Sequence, residues 1–451
     1  MIKLYNQLTK TIDEFTPQDP RNVKIYTCGP TVYSYAHIGN FTSYIYWDFL
    51  VRMLTLSGFN VNRVLNLTDV GHLASDADDG EDKLEKGART EGKTVWEIAD
   101  KYIDAFLKDF KSLNLTEPAK IARATDYIKQ DEELVDNLTK KGYTYETADG
   151  IFFDTSKFKT YADFAGLDLE GLKAGARVEF SSEKKNPSDF AVWKYVRPGE
   201  NHAMQWRYNN KIGYPGWHLE CATIIHTELG DTIDIHAGGI DHIPIHHTNE
   251  IAEYEAGYGK KLANFWLHNN FILIDGQKLS KSLGNAYTLS DLKEKGFDPL
   301  DYKLWTLQGH YRTERNFSLN DLSAAKARRL NWRNRIARLY QQDAISTVDN
   351  FDQAKALELA QNNLNSSEIL ALIDNSMLSL EDWMFVDKLL GLDLVASTPD
   401  ITQDLADEFY ARELARKNKD YAVADKIRND LLSRNLTILD TADGPIWQMT
   451  A

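Results

Sequence analysis

Cysteine is nearly missing from this chain: two residues in 451. Two thiols close at most one disulfide, so a cross-linked secreted scaffold is excluded. The pair points to a reducing compartment or to a specific task for the thiols. Proline is sparse as well, at 11, and with 26 glycines and no internal repeat this rules out collagen-like and low-complexity chains. Long apolar runs are absent. The stretch from Tyr44 to Leu54 is broken by Asp48 and Arg52, and the opening Met-Ile-Lys-Leu-Tyr-Asn-Gln-Leu lacks the apolar core of an export signal. A cytoplasmic protein with no membrane association is expected. Positive charge is in deficit, 52 lysines and arginines against 67 acidic residues, a net −15. That excludes a nonspecific nucleic-acid coat, which needs excess cations to release counterions, but leaves open an enzyme with a local basic track. What remains is ordinary for a globular protein: 43% hydrophobic, 11% aromatic and 26% charged residues, in a length of about three domains.

Periodicity places the elements. Val23–Cys28 reads as a strand, Gly29-Pro30-Thr31 as a turn, the stretch from near Gly39 to Leu54 as a helix and Val61–Leu67 as a second strand. That order is a parallel βαβ unit, which predicts an open α/β sheet with ligands at the strand carboxyl ends, Cys28 and Thr68 sharing one rim. The acidic stretch 74–82 reads as a loop. A helical pattern runs from Val95 to about Lys141, and residues of about 143–210, rich in glycine, aromatic and charged residues, interrupt the α/β signal. The signal resumes with a helix after Gly216, a strand at Thr232–His236, a helix near His246 and a strand at Phe271–Ile274. Beyond Pro299 the chain turns helical, with a helix pair within Asp349–Glu381 and a short strand at Leu436–Asp440.

Four segments concentrate chemistry-bearing residues. Cys28-Gly29-Pro30-Thr31-Val32-Tyr33 leads into Ala36-His37-Ile38-Gly39-Asn40, where a strand turns into a helix and backbone N–H groups with an imidazole can approach a phosphate. Lys278-Leu279-Ser280-Lys281-Ser282 carries two lysines three apart between Gly276 and Gly284, suited to gathering triphosphate oxygens. Either motif alone reads more simply as a capped turn or a solvated basic loop. Together, in this order on an α/β scaffold, they resemble the signature pair of class I aminoacyl-tRNA synthetases and their nucleotidyltransferase relatives. The other two segments are Gly213-Tyr214-Pro215-Gly216-Trp217-His218-Leu219-Glu220-Cys221 and His236-Ala237-Gly238-Gly239-Ile240-Asp241, the latter continuing to His246-His247-Thr248-Asn249-Glu250. His246 and Glu250, four apart on a predicted helix, can face one point. With Cys28 and Cys221 they make a plausible Zn²⁺ donor set, although two structural cysteines and a helix-face His–Glu pair would account for the same residues. His247 is the competing ligand, about 100° round the helix and without a glutamate four residues on.

These positions, each inside its own block, resemble the cysteinyl-tRNA synthetase family. The blocks are Thr-Cys-Gly-Pro-Thr-Val-Tyr, Pro-Gly-Trp-His-Leu-Glu-Cys and His-His-x-Asn-Glu, joined by Asn418–Arg428 and the strand after it, so the resemblance covers essentially the whole chain. The chain departs from the family pattern at Asn40 in place of histidine, Leu279 in place of methionine, Ile245 and Thr248, and in a longer loop after Asp69.

The resemblance implies ATP-dependent activation of L-cysteine to cysteinyl-adenylate and its transfer to the 3′ end of tRNA(Cys). It implies a Rossmann-like catalytic domain over 1–298 with an insertion at about 97–210, a helical stem-contact region over 299–345, and a helical anticodon-binding domain over 346–451 with a small strand element. One Zn²⁺ on Cys28, Cys221, His246 and Glu250 would select the substrate thiolate over serine's hydroxyl, making an editing domain unnecessary. His37, Lys278 and Lys281 would be catalytic. Pro30, His37, Asn40, Gly239, Asp241 and both lysines would bind ATP, with Mg²⁺ accompanying it. Gly29, Thr31, Thr68 and Trp217 would line the amino-acid pocket. For RNA, the acid-free window Leu322–Gln342 offers Lys326, Arg328, Arg329, Arg333, Arg335 and Arg338 on one helix, which reads either as a phosphate track or as a packed, solvated face. Trp447 would stack on a base, and Arg412, Arg416 and Lys417 would lie near the anticodon stem. A monomer is expected. Two rival functions are a cysteine ligase acting on an amino sugar, which has no need of the C-terminal helices, and a non-catalytic RNA-binding paralogue, which has no need of His37, Lys278 and Lys281.

Overall fold

The computed structural model describes residues 1–70, 83–168, 183–197, 202–279, 285–341, 350–441 and 444–450; the acidic run from Asp76 to Asp82 and Lys281 lie outside them. An N-terminal hairpin, β1 (Ile2–Asn6) and β2 (Thr11–Phe15), precedes the core. Strand β3 (Val23–Thr27), helix α1 (Ile38–Leu56) and strand β4 (Val61–Leu67) form the expected βαβ unit. Helices α2 (Lys83–Glu91) and α3 (Val95–Ser112) lead to β5 (Lys120–Arg123), which pairs parallel with β4. Helix α4 (Ile128–Lys140) follows. An antiparallel sheet then inserts: β6 (Thr144–Glu146), β7 (Gly150–Phe153), β8 (Phe190–Tyr195), β9 (Trp206–Tyr208) and β10 (Lys211–Pro215), in the order β6-β7-β8-β10-β9. The chain returns through α5 (Leu219–Leu229), β11 (Ile233–Gly239), α6 (Thr248–Tyr258) and β12 (Ala263–Asn269).

The central sheet has the order β12-β11-β3-β4-β5, and all its pairs are parallel. Its strands read as apolar runs because helices cover both faces, leaving Val23, Ile25, Val64, Leu65, Ile233 and Ile235 buried. The chain winds one way from β3 to β5 and the other way through β11 and β12. The sheet therefore has a switch point between β3 and β11, where a crevice opens at the carboxyl ends.

Two expectations are corrected here. The helical stretch from Val95 to about Lys141 is two helices with β5 between them. Asn114, in the left-handed region at φ 48°, follows the last residues of α3 and stops the helix there, and Pro118 cannot donate a helical hydrogen bond. The insertion also begins later than residue 97, since α3 and β5 belong to the parallel core.

Beyond β12 a three-stranded sheet, β13 (Ile272–Ile274), β14 (Gln277–Lys278) and later β15 (Arg315–Phe317), carries Lys278 at the end of its hairpin. Helices α7 (Leu289–Glu294), α8 (Pro299–Leu307), α9 (Leu319–Leu339), α10 (Gln353–Gln361), α11 (Ser366–Asn375) and α12 (Leu380–Leu390) make the helical region. A C-terminal unit of α13 (Gln403–Lys417), α14 (Tyr421–Ser433) and the hairpin β16 (Leu436–Thr441) and β17 (Gly444–Met449) packs on α9. Strands β12 and β17 carried no clear alternation in the sequence. Among the described residues no helix is long and apolar enough to cross a membrane.

Candidate active site and metal centre

At the switch point lies a cavity of about 640 Å³, lined by Gly29, Thr31, His37, Asn66, Thr68 and Trp217 among others. The turn after β3 is stitched to the end of β4. Thr68 N–H donates to the Pro30 carbonyl at 3.1 Å, Val32 N–H to the Thr68 carbonyl at 3.1 Å, and Thr31 and Thr68 form a parallel bridge. Only glycine fits at position 29, because a Cβ there would lie 1.6 Å from the Asn66 carbonyl oxygen.

Helix α1 starts at the same rim. His37 is its N-cap, accepting from Asn40 N–H through Nδ1 at 3.2 Å, while Asn40 Oδ1 accepts from His37 N–H at 3.0 Å. This reciprocal box satisfies two amide groups that a helix start leaves without intrahelical partners. Asn40, where the family has histidine, is thus a capping residue. The segment after the lysine loop clamps the same point, with Ile38 N–H donating to Tyr287 O at 2.8 Å and His37 bridging Thr288. Gly239 ends β11, and Asp241 sits in the short turn Ile240–His242; both line the cavity, as do the exposed Lys278 and the adjoining Leu279.

Beneath the rim, Cys28, Cys221, His246 and Glu250 are all buried, with one potential ligand atom from each within 4.8 Å of every other. A second buried group, Cys28, His236, His247 and Glu250, meets the same criterion. On α-helical spacing His247, the competing ligand, would point about 100° away from the His246–Glu250 face. In the structure Ile243–His247 is a π-type turn, which brings His247 Nε2 to 3.3 Å from Cys28 Sγ. The two sets differ in what their atoms already do. In the second, His236 Nε2 is 2.7 Å from Glu250 Oε1, and His247 Nδ1 is 2.8 Å from His268 Nε2. In the first, Glu250 Oε2 has no hydrogen-bond partner among the described residues and faces His246 Nε2 at 3.9 Å. His246 Nδ1 is 3.0 Å from His218 Nδ1, so that Nε2 carries the lone pair when Nδ1 carries the proton.

Electrostatics follow burial. Desolvation, then the neighbouring Cys221 thiol, pushes the Cys28 thiol well above its usual range. For Cys221 the hydrogen bond from Cys28 pulls down, but burial and Glu250 leave it raised. Burial, followed by the surrounding imidazoles, holds His247 well below the usual histidine range, and His268 likewise. Burial thus favours the neutral form of both thiols and of these two imidazoles. Trp217 lies 4.9 Å from the His246 ring, centroid to centroid. His218, His236, His268 and Asn66 were not singled out from sequence. His218 carried a usable signal, standing one helical turn before Cys221, whereas Asn66 and His268 carried none.

The basic residues of α9 are mostly used inside the protein. Arg329 is buried and pairs with Asp301 at 3.3 Å and Asp298 at 3.5 Å. Arg328 pairs with Asp374 at 2.6 Å, Arg333 bonds Thr398 Oγ1 at 3.0 Å, Arg335 bonds the Ile373 carbonyl at 2.9 Å, and Lys326 bonds the Gly296 carbonyl at 2.9 Å. Arg338 is exposed. Trp447 is 3% exposed, packed with Ala337, Leu431 and Ile438, so it presents no ring to an RNA base. That expectation is corrected: the indole closes the small core under the C-terminal hairpin. Arg412 is buried against Asp440 at 3.3 Å, and Arg416 pairs with the same carboxylate.

Comparison with known proteins follows the same lines. A family model described as the tRNA synthetases class I (C) catalytic domain matches residues 14–327. The chain is 37% identical over 490 aligned positions to a cysteine–tRNA ligase of Treponema denticola, covering 99% of each. It is 39% identical over 465 positions to cysteine–tRNA ligase 1 of Burkholderia lata, covering 98% of this chain and 96% of that one. Among solved structures, Mycobacterium tuberculosis methionyl-tRNA synthetase in complex with methionyl-adenylate has a TM-score of 0.58 at 15% identity, covering 82% of this chain and 88% of the other, a likeness of fold.

Proposed function

Because the chain belongs to the cysteine–tRNA ligase family of class I aminoacyl-tRNA synthetases, we propose how its own residues divide that family's work. The protein is an aminoacyl-tRNA ligase, and its substrates are ATP, cysteine and tRNA. Its relatives match it across the C-terminal helices as well as the catalytic domain, which an amino-sugar ligase would not need, and their shared activity leaves no place for a silent paralogue.

Cys28, Cys221, His246 and Glu250 are assigned as the ligands of one zinc ion. The observation that carries this is the buried Glu250 oxygen without a partner, aimed at His246 beside two thiols, where a cation is the group that completes the set. The His236–His247 set is disfavoured because His236 Nε2 already meets the Glu250 oxygen that the set would have to supply. Zinc there supplies a soft Lewis acid that favours a thiolate far more than a hydroxyl, the difference between cysteine and serine. His218 orients His246 through the other ring nitrogen.

In the first step a carboxylate oxygen of cysteine attacks the α-phosphorus of ATP and pyrophosphate leaves. In the second, a hydroxyl of the terminal tRNA ribose attacks the carbonyl and AMP leaves. Thr31, Thr68, Gly29 and Trp217 surround the amino acid. His37, at the positive end of α1, faces the phosphates with Pro30 alongside, and Asn40 holds His37 in place. Gly239 and Asp241 take the ribose side, and Lys278 and Lys281 follow the charge that develops on pyrophosphate. Mg²⁺ accompanies the nucleotide. Catalysis is assigned to 1–298, stem contact to 299–345 and anticodon recognition to 346–451, in a cytoplasmic monomer.

The test compares metal content with cysteine-dependent ATP–pyrophosphate exchange. Cys221→Ala and His246→Ala should each lose zinc and exchange activity together, while His247→Ala keeps its zinc. Full exchange by a zinc-free Cys221→Ala protein would overturn the metal assignment.

A further inference from the structure

Asn66 stands at the end of β4, is 2% exposed and lines the main cavity. Its amide makes two contacts of opposite polarity. Oδ1 is 2.7 Å from Gly29 N, and Nδ2 is 3.1 Å from Thr68 Oγ1. The orientation is forced, because a backbone N–H can only donate and so must meet the carbonyl end. The NH₂ end then faces Thr68, and the Thr68 hydroxyl must accept. A hydroxyl has a single hydrogen and two lone pairs. With one lone pair taken by Asn66, that hydrogen is left for the cavity, which Thr68 lines. The same logic acts at position 29, where the N–H is engaged by Asn66 and only the carbonyl remains to meet a ligand.

We infer that Asn66 is a positioning and polarity-setting residue for amino-acid binding: it turns the Thr68 hydroxyl into a hydrogen-bond donor toward an acceptor oxygen of the substrate and leaves the Gly29 carbonyl as the acceptor for its ammonium group. Through its side chain Asn66 ties the turn after β3 to the end of β4, beside the backbone bonds that also join them. The inference rests on the reading of Gly29 and Thr68 as pocket residues. Asn66 itself touches no reacting atom.

The experiment is cysteine-dependent ATP–pyrophosphate exchange with the full-length metal-loaded protein, comparing Asn66→Ala, Thr68→Val and the double variant. Asn66→Ala should raise the KM for cysteine about tenfold, the scale of one lost buried hydrogen bond, with kcat changed less and the KM for ATP and the zinc content unchanged. In the double variant the KM increase should fall well short of the product of the two single effects, since both remove the same oriented hydroxyl. If Thr68→Val raises the cysteine KM but Asn66→Ala does not, the inference falls and the pocket reading stands. If Thr68→Val leaves it unchanged, the pocket reading fails and takes the inference with it. A multiplicative double variant, or an Asn66→Ala protein that loses zinc and ATP affinity alike, would mark Asn66 as a structural residue only and overturn the proposal. Should Asn66→Ala fail to fold, Asn66→Ser, whose short hydroxyl cannot span both partners, is judged by the same outcomes.

Discussion

Deeply buried carboxylates are the most unusual single residues here. Asp131, Glu220 and Glu253 lie at 0%, 1% and 0% exposure behind the candidate metal centre, and neither oxygen of Glu253 has a hydrogen-bond partner among the described residues. Burial, then the neighbouring carboxylates Glu250, Asp131 and Glu220, holds Glu253 well above its usual 4.5. The folded state therefore keeps this proton at pH values where the unfolded chain has released it. The resulting stability is complete below about 4.5 and is lost as pH rises toward the folded value. Glu253→Gln, which carries no proton to lose, should raise stability by about 1–3 kcal/mol at pH 8 and by little at pH 4. Unfolding midpoints at the two pH values check this, and equal shifts at both would show that Glu253 titrates as an ordinary surface group. His247 teaches a different lesson. A rotation of 100° per residue describes an α-helix, and the wide turn at Ile243–His247 breaks that rule just where the two candidate ligands His246 and His247 stand.

Among the elements, α9 shows how a helix rich in cations can be mostly spoken for. Its buried stripe runs Leu322, Ala325, Arg329, Trp332 and Ile336, in steps of three and four, so Arg329 occupies a core position. That stripe was legible in the sequence; the carboxylates that meet Arg329 and Arg328, coming from α8 and α11, were not. Removing a cation that faces water and removing one that faces the core should therefore have different signatures. Arg338→Ala should weaken tRNA binding and lower the log–log salt slope by about one, with the thermal midpoint unchanged. Arg329→Ala should lower the midpoint instead, because it strands Asp301 in a buried site. Filter binding across a salt series and thermal unfolding separate the two. An unaltered slope for Arg338→Ala would remove this face of α9 from the RNA track.

At the scale of the whole molecule, a buried charge cluster joins the catalytic core to the helical region. Lys303 on α8, fully buried, donates to Asp48 on α1 at 2.8 Å and to the carbonyls of Leu113 and Asn114 after α3 at 3.1 and 3.0 Å. Arg52 bonds the same Asp48 at 2.7 Å and reaches the Lys388 carbonyl on α12 at 3.2 Å. Since α1 begins at His37, this cluster sets the far end of the helix whose near end faces the phosphates. Lys303→Met leaves Asp48 short of a cation and should cost about 3–5 kcal/mol, more than the double variant Lys303→Met with Asp48→Asn. Thermal midpoints give the order, and a single variant at least as stable as the double would show that the cluster carries no net coupling.

Local sequence determined the elements and blocks whose rules act over a few residues: the βαβ unit, the strand-to-helix turn at His37, the lysine hairpin and the helical C-terminal region. Periods of two and 3.6 are short-range signals, and so are capping residues. Tertiary structure decided which donors meet and which cations stay free. Cys28, Cys221 and the His246–Glu250 pair are far apart along the chain, and Cys28 meets that pair because β3 and β11 lie side by side in parallel and release their carboxyl ends into one crevice. Sheet order also brought Asn66 to Gly29, and folding of the C-terminal hairpin onto α9 buried Trp447. Pairings between distant segments leave no periodic trace in the residues that make them.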